Sequence, residues 1–210
     1  MAGELVVVTQ NAQLFSELNT MITVTAAFCI AADLHVSGHI NYQAGDYVTF
    51  EGHLLKKNVR LPLVGPVGAA LVSRLPDEIG ITVEDPSAPA KPFKHEARGI
   101  GDLLTSVFQP MLVNYFEKHR PALEARYGAD RTCWPAAWQM GWLVRNGLSH
   151  GNKLFFERPS QKPVTWGGIA LSHADNNKRL VFGILNQADL LLLLFDMEDS
   201  LFTPLVRRAV

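Results

Sequence analysis

Gly101-Asp102-Leu103-Leu104-Thr105-Ser106-Val107-Phe108-Gln109-Pro110-Met111-Leu112-Val113-Asn114-Tyr115-Phe116 is the stretch on which the fold turns. Leu103, Leu104, Val107, Phe108, Met111, Leu112, Tyr115 and Phe116 recur at helical spacing and form one apolar stripe. Gly101-Asp102 reads as the N-cap. Pro110 lies within the stripe and predicts a kink, because it removes an N–H and crowds the preceding turn. A break is expected at His119-Arg120-Pro121, with Pro121 opening a following helix that Gly128 ends.

Downstream, Asp130 or Thr132 caps a helix running through Trp134, Trp138, Trp142 and Leu143 to about Ser149. The three tryptophans sit at four-residue steps, as a stripe in a core or dimer interface would. Residues 151 to 163 read as a polar connection holding Pro159 and Pro163. Val164 to Leu171 and Arg179 to Phe182 flank a polar run that ends in Asp175-Asn176-Asn177, a β-hairpin signature. Asn186 then caps a helix from Gln187 to Phe202. Its Leu190 to Leu194 run is apolar nearly all round, which places it centrally. Pro204 and a basic Arg207-Arg208 tail follow.

Upstream, Asn11 to Leu34 carries Leu14, Leu18, Met21, Ile22, Ala26 and Cys29 at mixed steps, as a helix buried on more than one face would. Leu5-Val6-Val7-Val8 before it is either a strand or the lead-in to that helix. Gly38, Gly45 and Gly52 punctuate residues 35 to 60, where Tyr47 to Phe50 lean towards β but the spacing on to Leu54 also suits a helix; a second helix is expected. Leu63 to Leu75 reads as a short helix closed by Pro76. Residues 76 to 98 hold Pro86, Pro89 and Pro92 and read as a surface loop. The expected fold class is mainly α: a helical bundle with an appended β-hairpin near residues 164–183, in a single domain spanning 1–210.

Composition narrows the classes. The 210 residues carry 19 Lys+Arg against 20 Asp+Glu, a net charge of -1, which excludes a generally basic nucleic-acid coat while permitting a local basic patch. At 48% hydrophobic the chain is globular, not disordered. Cys29 and Cys133 are too few for a disulfide scaffold or a Cys-rich zinc site, and both are expected reduced, in the core. The Leu18 to Ala32 segment is uncharged but falls short of the ~20 residues that span a bilayer. With no basic region and long apolar stretch at Met1–Gln10 to mark a secretory signal, a cytoplasmic protein with no membrane partner is expected.

Chemistry concentrates in Trp142-Leu143-Val144-Arg145-Asn146-Gly147-Leu148-Ser149-His150-Gly151-Asn152-Lys153. Arg offers a rigid fork of donors matching phosphate oxygens. His exchanges a proton near neutral pH. The pair suits metal-independent RNA cleavage: His150 takes the proton from a ribose 2′-hydroxyl or gives one to the leaving 5′-oxygen, and Arg145 holds the phosphate as charge builds. Asn146 orients the imidazole or a phosphate oxygen; Ser149 and Lys153 are candidate substrate contacts. One His does not readily serve as both acid and base, so a homodimer with a composite cleft is expected. Five residues turn a helix roughly 140° past one full circle, so convergence of the two requires a loosened helix end, which Gly147 and Gly151 favour. The alternative reading is helix termination: cations favour the C-terminal end of the macrodipole, and Gly151 is an ordinary stop.

Arg145-Asn146-Gly147-Leu148-Ser149-His150-Gly151 resembles the signature of the HEPN superfamily, Arg followed after four to six residues by His, commonly with Asn, Asp or His directly after the Arg. The resemblance covers under a dozen residues and implies an α-helical bundle. It also implies a homodimeric, metal-independent endoribonuclease of a toxin–antitoxin or phage-defence system, with an RNA substrate, a cognate antitoxin and no cofactor. Members without activity serve as modules binding a partner protein or nucleotide. The motif pair maps onto Arg145 and His150, its polar companion onto Asn146. The Tyr that one subgroup carries shortly after the His has no counterpart: the second position after His150 is Asn152.

Elsewhere, His35 and His39 have an i, i+4 spacing, with His53 further on, but no His-Glu-x-x-His pattern accompanies them and Gly38 separates them, so a turn with surface histidines is expected and no metal site is assigned. His95, His119 and His173 are expected solvated. Lys153, Arg158, Lys162, Lys178 and Arg179 are either a basic rim to the cleft or scattered surface charge.

Overall fold

A computed structural model describes residues 3–37, 47–52, 54–62, 76–85, 98–181 and 183–209; side chains of 31–37 and 98–106 fall outside the description. The elements in chain order are β1 (Gly3–Thr9), α1 (Phe15–Ser37), β2 (Tyr47–Glu51), β3 (Asn58–Pro62), β4 (Glu78–Glu84), α2 (Arg98–Tyr127), α3 (Ala136–Ser149), β5 (Val164–Trp166), β6 (Ile169–Leu171), α4 (Gln187–Leu201) and β7 (Val206–Ala209).

The mainly α bundle is overturned. Five strands form an antiparallel sheet in the order β2-β3-β4-β1-β7, with four α-helices among the described residues, so the fold is mixed α and β. β1 is flanked on both sides, by β4 and β7. Val6, Val7 and Val8 are all buried, as both faces of an inner strand become when covered, and so the run shows no alternation. In β4, Ile79, Ile81 and Val83 are buried. This strand lies inside the stretch expected as a loop. Bracketing prolines and the glutamates at its two ends disguise three core residues at a two-residue period. β2 and β3 replace the helix expected over 35–60, pairing Tyr47 with Pro62 through Glu51 with Asn58. The basic Arg207-Arg208 tail is in fact part of edge strand β7. The Leu63–Leu75 helix and residues 86–97 of the Pro-rich loop lie outside the described residues.

α4 lies against β2 and β3 and α1 against β3, and Phe50 of β2 meets Phe108 of α2 edge to face at 5.4 Å between ring centroids. α2 runs on through Pro110 and Pro121, so the break expected near residue 120 does not occur. Each proline removes one N–H. Phe108, Met111, Leu112, Tyr115, Phe116 and Leu123, buried on both sides of these points, hold the helix in one piece. α4 begins as expected at Asn186, with Asp189 completing a capping box, and Leu190 to Phe195 are all buried. The hairpin lies where expected but pairs differently. Val164–Trp166 pairs with Ile169–Leu171 around Gly167 and Gly168, whose φ of 57° and 82° make the two-residue turn that a segment read as one strand concealed. Arg179 instead bridges Lys153.

Burial also corrects two side chains. Cys133 is exposed, outside the core; Cys29 is half-buried, and burial pushes its thiol upward. His119 is buried, between Tyr115 and Phe202 with ring centroids 4.7 and 4.9 Å away, and its Nε2 has no hydrogen-bond partner among the described residues. Burial first, and then the Lys118 charge, lower its affinity for a proton, against the opposing pull of Glu17. Being held neutral when folded, it costs stability as pH falls below the imidazole's ordinary 6.5, where the unfolded chain takes up the proton more readily. His119→Phe is expected to raise stability by about 1–2 kcal/mol at neutral pH, by removing the unpaired atom. It should also flatten the acid limb below that pH; urea denaturation at a series of pH values reads both effects. A limb as steep as wild type's would place the proton-linked step elsewhere.

Candidate functional site

Arg145, Asn146, Ser149 and His150 all belong to the last turn of α3. Its buried side is Ala137, Trp138, Met140, Gly141, Leu143, Val144, Gly147 and Leu148. The four candidates occupy the remaining arc: Arg145 and Asn146 are half-buried, Ser149 and His150 exposed. At about 100° per residue, Ser149 and Asn146 fall between Arg145 and His150, which stand at opposite edges of one solvent-facing arc. The helix runs on through Gly147 to Ser149, without the loosening expected at that glycine. His150 is the C-cap, with φ −110° and ψ 40°, and its N–H donates to the carbonyls of Asn146 and Gly147. Gly151 takes φ 74°, the left-handed conformation that ends helices cheaply only at glycine. Lys153 N–H returns to the Gly147 carbonyl at 3.2 Å, and Gln109 of α2 donates to the Leu148 carbonyl at 3.2 Å.

Arg145 is held from two sides. Its Nε donates to Glu117 Oε1 of α2 at 2.5 Å and its Nη1 to Asn146 Oδ1 at 3.1 Å. Nη2 has no partner among the described residues and remains available to an anion. The Asn146 amide oxygen is thus bonded to the guanidinium. Ser149 Oγ donates to the Arg145 carbonyl at 3.0 Å, a bond within the helix. His150 has the Phe155 ring beside it, 6.0 Å between centroids at 45°. The internal gap lined by Leu14, Leu18, Met111, Tyr115, Leu191 and Phe195 lies elsewhere, so Arg145 and His150 form an open face and not its wall.

Lys153 and Arg179 are brought together by a backbone bridge and are both exposed. Lys178 is committed to Asp175 at 2.7 Å, and that bond holds the Asp175 carboxyl below the usual range. Arg158 and Lys162 are exposed in the connection before β5. The tryptophan stripe divides: Trp134 and Trp138 are core, whereas Trp142 is half-buried beneath the Arg131 guanidinium, 3.7 Å from its ring centroid. His39, His53 and His95 lie outside the described residues, as does the His35 side chain; among the described residues no cluster of three His, Cys, Asp or Glu could hold a metal. No described helix is long and apolar enough to cross a membrane.

Two site residues have no signal in the motif. Glu117 is one polar position on α2, distinguished only by tertiary contact with Arg145. Phe155 sits in Leu154-Phe155-Phe156, where alternation alone hints that it points opposite to its buried neighbours. No family model, no curated protein and no solved structure matches this chain.

Proposed function

We propose that this chain is a metal-independent endoribonuclease of a toxin–antitoxin or phage-defence type. The observation that carries the reading is the placing of Arg145, Asn146, Ser149 and His150 on one solvent-facing arc at the end of α3. His150 exchanges the proton of the attacking ribose 2′-hydroxyl or of the leaving 5′-oxygen. The guanidinium, oriented by Glu117 and Asn146, offers Nη2 to the phosphate. The partner acid or base comes from a second copy across a two-fold axis, and a cognate antitoxin covers the face. The resemblance of residues 145–151 to the HEPN signature supports this locally, apart from the all-helical bundle, which the sheet replaces.

A second reading, a non-catalytic module binding a protein or nucleotide on the same face, is favoured by the Glu117–Arg145 ion pair, which neutralises the charge a phosphate would meet. One assay separates them. Purified protein should cut RNA in EDTA and leave 2′,3′-cyclic phosphate ends, and His150→Ala should lower the rate at least about 100-fold, the scale of a lost general acid or base, with its melting transition unchanged. Cutting that survives in the variant, or a wild type inert across a broad RNA panel, defeats the enzyme reading.

A further inference from the structure

We infer that Phe155 is a base-stacking platform beside His150, which makes single-stranded RNA the substrate class of the site; this rests on the ribonuclease reading. Leu154 and Phe156 are fully buried, whereas Phe155 between them is 47% exposed. An aromatic left in water because its loop is loose would be an accident of motion, but the backbone before and after this one is bonded to the segment opposite. Asn152 Oδ1 accepts from Val181 N–H at 2.8 Å while its Nδ2 donates to the Val181 carbonyl at 3.1 Å. Leu154 N–H donates to the Lys178 carbonyl, and Asn177 N–H returns to the Leu154 carbonyl. Phe156 and Asn176 bond reciprocally, at 2.7 and 3.0 Å.

The result is an exposed ring, carried on backbone bonded on either side of it, beside an exposed imidazole 6.0 Å away and tilted 45° to it. Lys153 and Arg179, exposed on adjacent backbone, lie next to it in the chain and across the bridge. A face carrying one exposed aromatic, one imidazole and flanking cations matches a nucleotide unit: base on the ring, phosphate on the charges. The base must be free to leave its neighbours, which a duplex does not allow without unstacking. Stacking is tolerant of base identity, so the site selects for strandedness and not for a sequence.

A 2′-O-methyl oligonucleotide of mixed sequence is the probe, since the blocked hydroxyl removes the nucleophile and leaves binding alone to be read. Fluorescence anisotropy should show single strands bound by wild type, roughly 5- to 100-fold weaker binding by Phe155→Ala, and recovery in Phe155→Tyr. The same sequence as a duplex should bind weakly and be indifferent to Phe155→Ala. In the cleavage assay the alanine variant should raise KM more than it lowers kcat. Wild-type cutting with unaltered single-strand affinity in Phe155→Ala overturns the stacking platform and leaves the nuclease standing. A wild type that neither cuts RNA nor binds the 2′-O-methyl strand overturns both.

Discussion

Trp138→Ala is expected to cost about 5 kcal/mol, a third or more of the roughly 5–15 kcal/mol that holds a domain folded. Trp138 is fully buried where α2, α3 and α4 meet. It stacks on Tyr115 with 6.0 Å between centroids and meets Phe116 at 5.6 Å. Its Nε1 donates to the Met197 carbonyl of α4 at 3.0 Å. Truncation therefore opens a cavity in the centre and also strips a partner from a buried carbonyl. The helices cannot close the gap easily, because α3 already approaches α4 at Gly141, where an added Cβ would lie 2.7 Å from Met197 Sδ. Trp138→Phe keeps most of the volume and loses the donor, so about half the cost is expected. Urea denaturation followed by far-ultraviolet circular dichroism gives both values; a loss under about 2 kcal/mol in the alanine variant would mean this junction is not the centre of the core.

Asp189→Ala should cost about 3–4 kcal/mol, and for a different reason. Asp189 is fully buried and serves two elements at once. One oxygen accepts from Asn186 N–H at 2.8 Å, closing the capping box of α4. The carboxylate also accepts from Leu54 and Leu55 N–H at 3.2 to 3.3 Å, fastening the β2–β3 loop to the start of that helix. An alanine leaves these part-buried donors without their acceptor. Asp189→Asn keeps one oxygen and is expected to lose less than Asp189→Ala. Hydrogen exchange locates the damage: protection should vanish first at Leu54, Leu55 and Asn186. Uniform loss across the chain would instead show a global effect with no local latch.

A second buried carboxylate works the same way. Glu198, on α4, accepts from Tyr115 Oη at 2.6 Å and from Gln13 N–H at 2.7 Å, tying α2 and the start of α1 to the central helix. Burial pushes its carboxyl upward, against the three donors that oppose the shift, those of Tyr115, Gln13 and Leu14.

How much of this was legible depends on where each determinant lies. Asn186, Asp189 and the Leu190 to Leu194 run sit within nine residues and announce α4 without help, as do the spacing of α1 and the stripe of α3. The Arg145 to His150 pattern is local too, and so is the glycine that ends its helix. Other determinants are not local. β4 reads as loop because its prolines mark the neighbouring turns while its strand character waits on β1 and β3. Pro121 reads as a break because nothing near it shows that Tyr115, Phe116 and Leu123 are all held in one core. Glu117 and Arg145 lie on different helices, and no spacing rule joins them.

Sequence alone determined the helices that carry their own periodicity and caps, together with the polar arc at the end of α3, because backbone bonds four residues apart and side chains on one helix face are set by neighbours in the chain. Tertiary structure alone decided that β1 is flanked by β4 and β7, some seventy and two hundred residues away, and that Glu117 meets Arg145. The physical reason is that a strand satisfies its N–H and C=O groups on another strand, and a half-exposed charge finds its partner on another helix, so neither leaves a signature until the chain has closed on itself.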